Sequence, residues 1–469
     1  MQRPHSLTEG SISRGLVRFA IPILFANVLQ SLNTSVNAFW VGRYLGEAAL
    51  TATSIANSVL FLLLGGVFGL SIASTILVGI YIGGKRLEDA KRVVGTSATF
   101  FFVLSIVMSA AGWLFLDPLL HAMTTPAESM ALAKAYMRVI FLALPFMYLY
   151  AFVMAVLRGA GDSKTPLMFM LLSVGLDIVL NPVLIFGVGP LPQLGIAGSA
   201  AATFFAQSVS LVALIVHLYR HRNPLRLQRH ELGLLRLDWT IVNTLIVKGV
   251  PMGLQLFVIS LSGILMITLV NRFGVHSTAA FGAAFQVWTY IQMPAFAIGM
   301  AVSSMAAQNV GARKWERVNA IARSGSLFSF LVTGFVVVLV EVLGGYVLGL
   351  FLPAGSEALA IAEHLNRVAA WSFIPLGISM VLFGVVRATG AVLPPLAILA
   401  ISLLGVRFPF AIAFMDRFGA DAIWWSFPLS GLVAVALAVL YYKFGGWRSA
   451  RMGNAIPTPK PEGAAQAPP

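Results

Sequence analysis

The stretch SVGLDIVLNPVLIFG, residues 173–187, carries an aspartate inside a run that otherwise has the composition of a membrane span. A carboxylate at the centre of a bilayer costs roughly 2.5–3.5 kcal/mol on insertion scales, so a chain rarely keeps one without using it. Ser173, Asp177 and Asn181 stand four apart and share one face of a helix. Pro182 follows, freeing the carbonyl near residue 178 for a cation or a proton donor. Earlier in the chain Asn27, Gln30, Asn33, Thr34 and Asn37 recur at steps of three and four, and Thr203 and Gln207 form a later pair. Three such faces converging would make a pocket able to hydrate, protonate or ligate Asp177. The expectation is cation or proton handling by Asp177, Asn181, Asn37, Thr203 and Asn33, beside a substrate cavity lined by Gln30, Thr34, Ser173 and Gln207. Interhelical glue, at about 0.6 kcal/mol per contact, explains amides and hydroxyls but does not need a carboxylate.

Other chemistry finds no support. The chain has no HExxH, GxSxG or GxxxxGK[ST] sequence, and its seven histidines lie near termini, connectors or span ends. It has no cysteine, which excludes disulfides, thiolate metal sites and thiol nucleophiles. An enzyme is therefore not expected, and neither is a cofactor or a resident metal, although sodium could sit at Asp177, Asn181 and Asn37. Without a nucleotide motif, the energy source would be an ion gradient, with H+ or Na+ as the coupling ion.

The elements that must position these residues are membrane helices. Of the 469 residues, 58% are hydrophobic and 10% charged, against about 25% charged in soluble proteins. Twelve spans are expected, near 15–42, 51–82, 95–120, 134–157, 165–188, 195–219, 244–271, 277–308, 322–351, 364–386, 393–414 and 421–443. The first apolar run is a full span without a cleavage-site pattern, so the N-terminus is expected to be retained. An even count puts both termini on one side, and most of the net charge of +14 falls there too, Arg387 included. The opposite side keeps mainly Arg43, Lys134, Arg272 and Arg417. By the positive-inside rule the termini are cytoplasmic, and the basic excess is topology rather than a nucleic-acid footprint.

The chain repeats itself at a spacing of 229: Pro22 recurs as Pro251, Arg43 as Arg272, Arg138 as Arg367, and Arg158, Gly161 and Pro166 as Arg387, Gly390 and Pro395. Two six-helix bundles follow, 15–219 and 244–443, flanked by a cytoplasmic N-terminus (1–14), a linker (220–243) and a tail (444–469) whose Pro/Ala-rich end reads as disordered. Six spans per half give both halves the same orientation, related by an axis along the membrane normal. Transporters built so bind substrate between the repeats.

In this order the segments AIPILFANVLQSLNTSVNAFWVGRYLG, LRGAGDSKTP, LDIVLNPVLIFGVGPLPQLGIAGSAAAT, GVPMGLQ, VRATGAVLPP and GVRFPF resemble the multidrug and toxic compound extrusion (MATE) family, nearer its DinF-type branch, over residues 14–443. The resemblance implies an all-α, V-shaped integral membrane fold of twelve helices in two pseudo-symmetric bundles. It implies a prokaryotic plasma-membrane antiporter that exports cationic or amphiphilic compounds in exchange for protons or sodium. The expected partners are small amphiphilic substrates and membrane lipids, not nucleic acid, and the chain is expected to be monomeric. A lipid-linked saccharide flippase of similar architecture is the rival, but it needs a cationic cavity.

This chain departs from both branches of the family. The DinF-type branch has a first-helix aspartate where Asn37 stands, and an Asn before the fifth-helix Asp where this chain has Asp177 and then Asn181. Thr203 matches a polar position of the same cavity. The NorM-type branch has acids near Ile259 and Leu376, both missing here. In the second half Gln286, Trp288, Gln292 and Met293 are expected to line a drug cavity, as flexible Met and aromatic surfaces accept varied ligands. Glu341 is the one other acid well inside a span, and Arg407 is a mid-span cation expected to be paired structurally.

Overall fold

The protein is described by a computed structural model covering residues 7–187, 189 and 192–452. The end of the tail and residues 1–6 lie outside the described residues, and the expectation of disorder falls on the former. Among the described residues, twelve helices are long and apolar enough to cross a membrane. In the first half they are α1 (Ile12–Leu45), α2 (Glu47–Gly83), α3 (Leu87–Leu114), α4 (Ala127–Gly159), α5 (Lys164–Phe186) and α6 (Ile196–Arg220). In the second they are α7 (Trp239–Phe273), α8 (Val275–Gly311), α9 (Trp315–Val342), α10 (Glu357–Ala388), α11 (Leu393–Phe418) and α12 (Ala420–Phe444). Even the 23-residue α5 reaches about 34 Å at 1.5 Å per residue, enough for a hydrocarbon core of about 30 Å.

Two expected spans shift. The third helix starts at Leu87 rather than 95, because Glu88 and Asp89 in its first turn suit the positive end of the helix dipole. Its expected end is a separate short helix, Leu116–Ala122. Likewise α9 starts at Trp315 and stops at Val342, and the apolar residues after it form the short helix Gly344–Gly349. Hydropathy alone cannot divide a span from an apolar helix that abuts it.

The helices have matching neighbours in the two halves. Within the first, α2 packs on α4, α4 on α3 and α6, α5 on α6, and α1 on α5. Within the second, α8 packs on α10, α10 on α9 and α12, α11 on α12, and α7 on α11. Between the halves α2 meets α7, α1 meets α8, and α2 meets α8. That set maps onto itself when the halves exchange places, as a two-fold relation requires.

The seam between the halves closes at the end of the bundle that carries the N-terminus. Gly69 has no room for a side chain against the backbone of Gly249 and Gly253, nor has Gly83 against Gln308. Small residues let membrane helices approach this closely. Residues 7–10 strap the same end. Leu7 N donates to Gln308 Oε1 (3.0 Å), and Gln308 Nε2 donates to the Gly159 carbonyl (3.0 Å). Arg317 adds hydrogen bonds to the carbonyls of Gly10 (3.0 Å) and Glu9 (3.1 Å). Among the described residues, every hydrogen bond joining the two sets of helices lies at this end.

Candidate functional site

Asp177 is 1% exposed, on the face of α5 that also buries Ser173 and Asn181. More than three turns of α5 precede it, mostly apolar, and more than two follow, so it lies inside the span rather than at an end. Across from it α1 supplies two amides four residues apart: Asn33 Nδ2 (2.8 Å) and Asn37 Nδ2 (2.9 Å) both donate to Asp177 Oδ2. From α6, Thr203 Oγ1 donates to Asp177 Oδ1 at 3.2 Å. Asn181 does not touch the carboxylate; its Nδ2 donates to Asn37 Oδ1 (2.7 Å) and so aims the Asn37 amide at Asp177. The fold thus brings Asp177, Asn33, Asn37, Asn181 and Thr203 together in one hydrogen-bonded cluster.

Two properties of this cluster are chemically informative. Asp177 has no Lys, Arg or His in ion-pair contact among the described residues. A buried carboxylate without a counter-charge is costly, and hydrogen bonds to amides and a hydroxyl offset only part of that cost. Second, Asn33 Oδ1 and Asn181 Oδ1 are buried acceptors with no donor. The cluster is short of positive charge and short of donors at once, which is what a proton or a metal cation would supply. Tyr136 of α4, 6% exposed, lies within electrostatic range of the carboxylate. Its position in the sequence does not mark it, because tyrosine is common at span boundaries.

The expected cavity residues separate into groups. Gln30 and Thr34 are exposed on α1, and Thr34 Oγ1 back-bonds to the Gln30 carbonyl (3.1 Å) instead of reaching Asp177. Ser173 is buried, whereas Gln207 is half-buried on α6. In α8 Gln286 is exposed, while Gln292 and Met293 are half-buried. Trp288 does not line a cavity. It is 1% exposed, packed among Phe281, Phe373 and Phe427, and its Nε1 donates to Asn366 Oδ1 (3.0 Å). Packing wins there because so large an apolar side chain gains most from complete burial.

Glu341 is half-buried near the end of α9 and accepts from Asn366 Nδ2 (2.9 Å), an amide already oriented by Trp288. The expected structural partner of Arg407 is not a carboxylate. Its Nε donates to Ser430 Oγ (2.9 Å), and its guanidinium lies 4.3 Å from the centre of the Phe427 ring. Arg387, counted with the exposed basic connectors on sequence grounds, is buried at 8% exposure in the last turn of α10. Hydropathy assigned it to a loop because the helix ends one residue after it.

With this geometry in view, comparison with known proteins identifies the class. The MatE family model matches residues 22–183 and again 251–413, two segments that begin 229 residues apart. The chain belongs to the MatE family, whose members are transporters rather than enzymes. Among its relatives, the probable multidrug resistance protein YoeA of Bacillus subtilis is 36% identical over 451 residues, covering 96% of this chain and 97% of the relative. The multidrug export protein MepA of Staphylococcus aureus is 22% identical over 439 residues, covering 92% and 94%. A solved outward-facing multidrug resistance MATE transporter superposes with a TM-score of 0.86 at 20% identity, covering 94% of this chain and 97% of that one. The fold is thus the twelve-helix MATE fold, and the protein is a multi-pass membrane protein.

Proposed function

We propose that the protein is a secondary active antiporter of a prokaryotic plasma membrane, both termini cytoplasmic, exporting cationic or amphiphilic drugs and toxic compounds in exchange for protons. The observation that carries this reading is Asp177: a buried, unpaired carboxylate held by three donors from two other helices. Its two states do opposite work. The ionised form supplies the charge that holds a cation, and the protonated form gives it up. With the N-terminal end of the bundle on the cytoplasmic side, the closed seam seals the inside, and the conformation is the outward-facing one. A proton arriving from outside neutralises Asp177 and weakens its hold on cationic cargo. Rocking of the halves then exposes the site inward, where the proton leaves. The names of relatives such as YoeA and MepA support drugs as cargo.

A second reading, sodium in place of the proton, is favoured by the two orphaned amide oxygens, Asn33 Oδ1 and Asn181 Oδ1. Oxygen acceptors without donors, beside a carboxylate, suit a hard cation better than a proton. Inverted vesicles separate the readings: substrate accumulation driven by an imposed proton gradient alone supports the first, and a sodium requirement supports the second. Accumulation that needs neither gradient would sink both.

A further inference from the structure

A second site without an assigned occupant lies at the seam, built around two polar residues of the second half rather than of the half that carries Asp177. Gln255 on α7 is 4% exposed and Arg387 on α10 is 8% exposed. Arg387 Nη1 donates to Gln255 Oε1 at 3.1 Å, which fixes the amide so that its NH2 group must find another acceptor. It finds none: Gln255 Nε2 and Arg387 Nε are both buried without a partner. Both residues line one cavity of about 30 Å³, walled by Met252, Phe296, Met300 and Met380 of the second half and by Phe68 and Ile72 of the first.

The charge there is as unbalanced as the hydrogen bonding. No carboxylate pairs with Arg387 among the described residues. One α7 heptad before Gln255, the half-buried Lys248 donates its Nζ to the Gly390 carbonyl (2.8 Å), adding a second cation beside the same helix end. The negative end of α10 offsets part of this charge. An unpaired buried guanidinium and an unpaired amide donor are each costly, and a common acceptor between them removes both costs. The volume limits what that acceptor is. It exceeds the roughly 10–15 Å³ that one water needs and falls far short of the about 300–1,000 Å³ of a drug pocket. A water could accept two hydrogen bonds but would leave the charge uncompensated.

We propose that this cavity binds one small inorganic anion, chloride in the cell, held by the Arg387 guanidinium and the Gln255 amide. Phe68 and Ile72 close the site from the opposite half, so the anion is sealed only while the seam is closed. Occupancy therefore stabilises the conformer whose N-terminal end is shut, independently of what Asp177 carries.

The test uses the purified full-length protein in nanodiscs. Its unfolding midpoint is measured while sodium gluconate is replaced by sodium chloride or bromide at constant ionic strength. The expected result is a saturable rise with either halide, an at least tenfold weaker apparent halide affinity in Gln255→Leu, and no halide effect in Arg387→Gln. Should Arg387→Gln fail to fold, Gln255→Leu decides, because it leaves the charge in place and removes only the amide. Equal midpoints in halide and gluconate would mean that water alone fills the cavity, and would overturn the proposal. A halide effect of undiminished affinity in Gln255→Leu places the anion elsewhere and overturns it too. Crystals soaked in bromide are expected to show anomalous density between Arg387 and Gln255.

Discussion

The two halves share a scaffold and differ in charge at the same corner. Pro22 and Pro251 set the offset of 229, and the π-helical segment Ile401–Arg407 adds one residue to α11, which brings position 407 into register with 177. Inserted residues of this kind are rare in helices and concentrate at functional places. Before α6 and α12 stand Gly195 (φ +56°) and Gly419 (φ +60°), an offset of 224 that sets Thr203 opposite Phe427. In the first half Thr203 donates to a carboxylate; in the second an arginine lies over the Phe427 ring. The amides around Asp177 have no counterparts: Asn33, Asn37 and Asn181 correspond to Ser262, Met266 and Ala411. One half buries a carboxylate that has no ion-pair partner among the described residues. The other has filled the equivalent corner with a cation of its own. A duplicated fold thus keeps its packing while the buried, amide-held carboxylate is confined to one copy.

The largest expected effect tests that division directly. Asp177→Asn keeps the volume and most hydrogen-bonding capacity of the side chain but removes its ionisation. Gradient-driven efflux should fall to background at equal expression and folding. Residual efflux near the parent level would move the exchangeable charge out of the first half.

Next in size is Asn37→Asp, which places two carboxylates where one now stands. Carboxylates this close titrate as a coupled pair rather than separately. The pH profile of efflux should split into two steps or shift by a unit or more, while transport survives. Asn37→Ala should leave a single step and weaken ion coupling several-fold. Profiles identical to the parent in both variants would show that the α1 amides only pack.

Asp177 and its ligands were legible because polar residues at steps of three and four stand out against an apolar background. The same contrast misled at Trp288. An aromatic beside Gln286 and Gln292 reads as a cavity wall, yet a helix in a twelve-helix bundle is covered on several sides, and only the fold says which side is wet. Arg387 escapes for the opposite reason: it sits at a helix end, where composition predicts exposure, and is buried against Gln255 of α7 in a cavity that Phe68 and Ile72 of α2 also line. Asn366 carried a weak signal, an amide within a span, but its link from Trp288 to Glu341 is a tertiary fact.

A smaller effect is expected at the filled corner. Arg407→Gln should retain the hydrogen bond to Ser430 and lose the stacking on Phe427, a contribution of about 0.5–2 kcal/mol. Efflux should drop a few-fold, with the pH and sodium dependence of the parent unchanged. A loss as complete as that of Asp177→Asn would make the two corners functionally equivalent and break the comparison.

The smallest expected effect concerns the segment that joins the halves and has no counterpart in either. It docks on α3: Lys91 Nζ meets Glu231 Oε1 at 2.5 Å, Arg92 pairs with Asp238 at 2.7 Å, and Thr99 Oγ1 donates to the Leu235 carbonyl at 2.7 Å. The hydrogen bond from Lys91, together with that from the Gln228 backbone N–H, holds the Glu231 carboxyl below its ordinary range. A carboxylate lowered in the folded state contributes stability above its unfolded pKa of about 4.3, and that contribution is lost as the pH falls through the folded value. Docking should therefore loosen as the pH falls below about 4.3 and Glu231 becomes protonated. Amide hydrogen exchange over residues 229–238 reads this out, with faster exchange at low pH and, at neutral pH, in Lys91→Met. The helices on either side should exchange unchanged, since the linker packs on α3 without entering the seam. Faster exchange spreading into α2 and α7 of the Lys91→Met variant would show instead that the linker holds the halves together, and the two corners would then be coupled through it.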